Sequence, residues 1–135
     1  MQSNLDLYNF AEQKNIIVDT VKLPKNASIT ICMHEQEFIL IDKEVKSDTA
    51  EERVHLAHEI GHCETGAYYA VGADKVVRDK AEYRAKRWAI VHLLPKDALY
   101  ELLKKGYNEW DIAEEYNVTV DFVREAYRLY FDVCA

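Results

Sequence analysis

At 135 residues and 49% hydrophobic, the chain is long enough for one domain with a real core and too short for two independent ones. Its formal net charge of -7 offers no general attraction for nucleic-acid phosphate, and no apolar stretch approaches the ~20 residues of a membrane-spanning helix. The three cysteines, Cys32, Cys63 and Cys134, are odd in number, far apart and without a C-x-x-C pair. Together with an N-terminus, Met1 to Asp6, that lacks a basic region and an apolar run, they predict a cytoplasmic protein without a signal peptide.

In chain order, Leu5 to Lys14 reads as an amphipathic helix. Ile16 to Val18, Ser28 to Cys32 and Glu37 to Ile41 are short β-branched or apolar runs, separated by turns at Lys22 to Asn26 and His34 to Gln36. We expect a small, largely antiparallel sheet packed on helices, an α+β arrangement. The run Phe38 to Ile41 is expected at a cleft, where an extended peptide could add as a strand, or else simply in the core.

The next segment carries the chemistry. Thr49-x-x-Glu52 reads as a capping box, no Pro interrupts residues 50–65, and Gly66 stands where a left-handed C-terminal cap belongs. A helix over 50–65 follows. It carries His58-Glu59-Ile60-Gly61-His62, the pattern H-E-x-x-H. Side chains four apart on a helix have Cβ atoms about 6 Å apart, so both imidazoles can converge on one metal ion while Glu59, one residue off, is free to act as a base. Val54, Ala57 and Gly61 form a second stripe that packs the helix onto the body. Cys63 reads as a small packing residue.

A catalytic zinc takes three protein ligands and keeps one position open. Asp74 to Leu94 reads as a second helix, ended by Pro95. On it Glu82, Ala85 and Ala89 share a face, a carboxylate followed by two residues small enough for close approach. Glu82 is the candidate third ligand. Glu64, Asp74 and Asp79 are rivals, and on spacing alone a solvated helix charge is the better reading of Glu82.

The stretch His55 to Cys63, followed by Glu82-x-x-Ala85-x-x-Trp88-Ala89-x-x-x-Leu93-Leu94-Pro95, resembles the ImmA/IrrE family of gluzincin-like metallopeptidases of phages, integrative elements and bacterial stress responses. The resemblance implies Zn2+ held by His58, His62 and Glu82, Glu59 as general base, and a helix-turn-helix transcriptional repressor as substrate. It extends over nearly the whole chain. His92 departs from the pattern.

Beyond this core of residues 1–95, residues 96–135 read as a helical segment of the same domain. Pro95 to Lys105 forms a helix closed by Gly106. Asn108 to Tyr116 and Val120 to Phe131 follow, with Ile112, Ala113, Val118, Val123 and Ala126 at helix-turn-helix core spacings. Lys96 to Ala135 holds five Lys and Arg against nine Asp and Glu, a net of -4, and the would-be recognition helix carries Asp121, Glu125 and Asp132 against Arg124 and Arg128. That is the wrong charge for a duplex. Supporting the core or docking a repressor protein is the expected role; the alternatives are DNA binding beside a vestigial metal centre, or capture of a repressor without cleavage. His55 reads as an exposed helix residue or a partner behind the ligands, His92 as packed or solvated, His34 as a turn residue, and Tyr68 and Tyr69 as candidate cleft residues.

Overall fold

The computed structural model describes residues 3–24 and 27–131. Lys25 and Asn26 of the expected first turn, and Asp132 and Cys134, lie outside the described residues. Helix α1 (Leu5–Gln13) leads into β1 (Ile17–Val21), β2 (Ser28–Met33) and β3 (Gln36–Asp42); α2 (Ala50–Thr65) and α3 (Lys75–Leu93) follow, then α4 (Lys96–Lys104), α5 (Glu109–Tyr116) and α6 (Val120–Tyr130). The chain is α+β, as expected. Among the described residues no helix is long and apolar enough to cross a membrane.

The sheet differs from expectation in two ways. Its order is β1-β3-β2, with β3 pairing antiparallel to β2 (Ser28 opposite Ile41) and parallel to β1 (Ile17 opposite Phe38). The sheet is therefore mixed rather than largely antiparallel. The chain passes over the middle position to lay β2 on the far edge, then returns through His34 and Glu35, both at positive φ (52° and 66°), the conformation of a tight two-residue hairpin turn. Because β3 is central, Phe38 to Ile41 has no free edge to offer a peptide. The edge strand facing the cleft is β2. On β3, Ile39 and Ile41 point into the core with Leu7, Leu56, Ile60 and Ile90, two residues apart on one face as the strand's period requires.

Helix α2 begins where Thr49 Oγ1 accepts from the Glu52 backbone N–H at 3.2 Å, and it ends at Gly66 in the left-handed region (φ 63°). The expected capping box is only half formed: Glu52 Oε1 accepts from the Asp48 N–H at 3.0 Å instead of from Thr49. Asn4 Nδ2 and Tyr8 O–H both donate to the Glu52 carboxylate, at 2.9 and 2.8 Å, which draws it toward α1. Beside it the buried Arg53 reaches back to Asp6 with both terminal nitrogens, at 2.8 and 3.1 Å. Asn117, left-handed at the α5–α6 turn, donates to Asn4 Oδ1 and to the Asp48 carbonyl, both at 3.4 Å. One polar cluster thus fixes the start of the motif helix against α1 and the α5–α6 turn.

Asp74 caps α3 through the Val77 N–H, and Ala81, Ala85 and Ala89 are buried against α2. Ile112, Ala113, Val118, Val123 and Ala126 are all buried. An Arg124 fork onto Glu109, at 2.9 and 2.7 Å, ties α6 to α5, while Tyr130 O–H donates to the Leu94 carbonyl at 2.9 Å and seats α6 at the end of α3.

Candidate metal centre

His58 and His62 project from one face of α2, and α3 brings Glu82 over them. Glu82 Oε2 accepts from His62 Nε2–H at 2.8 Å and from His58 Nε2–H at 3.2 Å. The rings pack edge to face, 4.9 Å between centroids. Those two hydrogen bonds, with the charge on the imidazoles, hold the Glu82 carboxyl far below the ordinary carboxylate range. Burial works against charging His62, but the bonds to Glu82 and to the Ala67 carbonyl outweigh it and raise its pKa.

His62 is oriented from behind. Its Nδ1–H donates to the Ala67 carbonyl at 2.7 Å, which turns Nε2 toward Glu82. A backbone acceptor behind a ligating imidazole is the usual arrangement for setting its tautomer. The loop just after Gly66 supplies it; sequence reasoning had no route to a carbonyl.

The donor set fits a divalent ion. One atom each from His58, His62 and Glu82 lies within 4.8 Å of the other two, and ligand atoms bonded at about 2.0–2.2 Å to one tetrahedral ion lie roughly 3.4 Å apart. Two imidazole nitrogens and one carboxylate oxygen are the chemistry such an ion takes, and the group can hold a metal. The rivals are engaged elsewhere: Glu64 pairs with Lys14, Asp74 caps α3 and Asp79 pairs with Lys75.

Glu59 is buried and held by strand β2. Thr30 Oγ1 donates to its Oε1 at 2.6 Å and Ser28 Oγ to its Oε2 at 2.8 Å. Ser28 Oγ in turn accepts from His55 Nδ1–H at 3.3 Å. Sequence reasoning missed both hydroxyls; the available signal was their spacing, two apart on a strand and so on the same face.

These groups border a cleft of about 800 Å³ that β2 lines on one side, with Glu59, His62 and Glu82 on its floor and Tyr68 and Tyr69 at the loop. Both tyrosines are therefore cleft residues, and Tyr69 O–H lies 3.5 Å from Glu82 Oε1. His55 lines the cleft as well. His92 does not: it stacks on Trp88, 4.6 Å between centroids, against Phe10 in a separate recess. His34 sits exposed in the hairpin turn. Burial and the Glu37 carboxylate push the Cys63 thiol well up, so it packs as a thiol and is no nucleophile.

The model of the peptidase M78 family, described as the IrrE N-terminal-like domain, matches residues 7–129. By class the chain is a metallopeptidase. It belongs to the peptidase M78 family, that of the IrrE and ImmA type. No curated protein matches it.

Proposed function

We propose that the protein is a zinc-dependent endopeptidase that cuts a helix-turn-helix transcriptional repressor of a phage or mobile element in the cytoplasm. His58, His62 and Glu82 are its ligands, and Glu59 its general base. The observation that carries this reading is the convergence of both Nε2 atoms on Glu82 Oε2 beside the Glu59 carboxylate, which β2 holds.

Bound there, the ion would supply Lewis acidity for the scissile carbonyl and acidify the attacking water. Glu59 takes the proton of that water on a carboxylate oxygen and passes it to the leaving amine nitrogen. A carboxylate has about four lone-pair sites. The two hydroxyls use one on each oxygen, so Glu59 keeps capacity for the water. The Ala67 carbonyl accepts from His62 Nδ1–H, which leaves Nε2 as the ring's nitrogen for the ion.

The test is incubation with purified helix-turn-helix repressors, with and without chelator, read by fragment mass. Chelator-sensitive fragments are expected. A stable complex without fragments would support a repressor-binding regulator instead.

A further inference from the structure

The Glu59 carboxylate is not held by the helix that carries it. Both oxygens are taken by hydroxyls from a different element, 29 and 31 residues earlier in the chain. Thr30 also leans on the Glu59 carbonyl at 3.3 Å, so its hydroxyl sits against both the backbone and the side chain of the same residue. Ser28 has one proton, which it gives to Glu59 Oε2; its oxygen is then free to accept, and His55 Nδ1–H fills that role. The result is a directed chain from His55 through Ser28 to Glu59, with Thr30 closing on the other oxygen.

We propose that Ser28 and Thr30, with His55 behind Ser28, are positioning residues that aim the general base. This rests on the reading of Glu59 as that base. A Glu side chain has three rotatable bonds, and from α2 alone its carboxylate would sample several rotamers. Hydrogen bonds to a charged group are shorter and about twice as strong as neutral ones, and two of them on separate oxygens fix the plane of the carboxylate as well as its position. The clamp comes from an edge strand that also forms the cleft wall, so the geometry of the base is set by the wall against which substrate lies. It explains why strand positions 28 and 30 carry hydroxyls, where a purely packing face would take Val or Ile.

The experiment uses the full chain loaded with zinc, a helix-turn-helix repressor that the wild type cuts as substrate, and the variants Thr30→Val, Thr30→Ser, Ser28→Ala and the Ser28→Ala, Thr30→Val pair. Thr30→Val keeps the shape of the side chain and removes only the donor. It should lower kcat by about 10-fold or more, and the pair by about 100-fold, the scale of a reacting group displaced by an ångström. KM and zinc content should stay at the wild-type values, and Thr30→Ser should keep wild-type kcat within a few fold. A metal-free crystal structure of the pair should find the Glu59 carboxylate turned out of its present plane. The proposal is overturned if Thr30→Val and Ser28→Ala keep wild-type kcat, if Thr30→Ser is as impaired as Thr30→Val, or if the carboxylate stays in place without its donors. An inactive, zinc-loaded wild-type protein is a different result: it sinks the endopeptidase reading, and the proposal with it.

Discussion

Gly61 lies so close to Ala85 that a Cβ added to it would come within 2.5 Å of the Ala85 carbonyl oxygen, with the Ala85 Cα and carbonyl carbon at 3.1 Å. The two helices that carry His62 and Glu82 therefore meet backbone to backbone at this point. Gly61 immediately precedes His62, and Ala85 is one turn beyond Glu82 on the same face. His62 Nε2 and Glu82 Oε2 lie 2.8 Å apart beside this contact.

Gly61→Ala should consequently separate the helices, because the Ala85 atoms it would meet are backbone and cannot rotate away. We expect a loss of about 1–3 kcal/mol, the range for overpacking a filled core, and weaker metal binding through displacement of Glu82. Thermal unfolding and a calorimetric zinc titration measure the two effects. Wild-type affinity in a folded Gly61→Ala protein would mean the contact does not set the ligand spacing.

The ligand assignment predicts unequal losses. Replacing His58 and His62 together by Ala should abolish stoichiometric zinc, since one carboxylate remains. Glu82→Ala should weaken binding less completely, because two imidazoles remain and water can complete the shell. Elemental analysis after dialysis checks both, and full occupancy in the double His variant would refute the site.

Metal and chemistry separate at Glu59. Glu59→Gln keeps a side chain of the same size, and its amide oxygen can still accept from one of the two hydroxyls. Zinc content and folding should be retained, while hydrolysis falls by about 10²–10⁴-fold, the contribution of a positioned general base. Turnover at the wild-type rate in that variant would reject the mechanism.

The buried Arg53 gives a pH prediction. Burial pushes the Asp6 carboxyl up, but the Arg53 hydrogen bonds and charge outweigh it and hold it below its ordinary value of 3.8. A carboxyl depressed by folding adds stability above its unfolded pKa, and that stability is lost as pH falls through the folded one. Acid unfolding of the wild type should be steeper below about pH 4, near the unfolded Asp pKa, than that of Asp6→Asn. At neutral pH, Asp6→Asn should destabilise by about 1 kcal/mol or less, since the Asp6 carboxylate is half exposed and solvent screens its pair with Arg53. Parallel acid-denaturation curves for the two proteins would show that the pair does not contribute.

The helices were legible because their ends are written in single residues. Thr49, Asp74 and Asn108 cap three starts, while Gly66, Pro95 and Gly106 mark the stops. The His58, His62 and Glu82 grouping was legible because H-E-x-x-H fixes two positions by helical period and the family resemblance over Glu82 to Pro95 points to the third, which spacing alone does not. Strand order was not: Phe38 to Ile41 reads as an apolar run whether central or edge, and which strand it pairs with depends on where the segment 22–27 carries the chain. The hydroxyls on Glu59 were hidden for the same reason. Ser28 and Thr30 are ordinary strand residues until the sheet is laid against α2, and the Ala67 carbonyl behind His62 has no side-chain signature at all.

The acidic C-terminal helices yield the last prediction. Sequence spacing suggested that Arg124 and Arg128 could both serve an outward face, but Arg124 is committed to Glu109 by two hydrogen bonds and lies over the Trp110 ring. Among the described residues Arg128 pairs with Glu125, one turn earlier on its own helix, and 70% of its side chain is exposed. Reversing each to Glu should separate support from docking. Arg124→Glu sets a carboxylate against Glu109 and should lower the melting temperature, whereas Arg128→Glu should leave it unchanged and alter only repressor cleavage, with zinc content constant in both. A duplex reader behaves differently, because each phosphate contact adds to the salt dependence of binding. Titration of labelled duplex at increasing salt distinguishes the two. Tight duplex binding that weakens steeply with salt and is lost in Arg128→Glu would assign these helices to DNA.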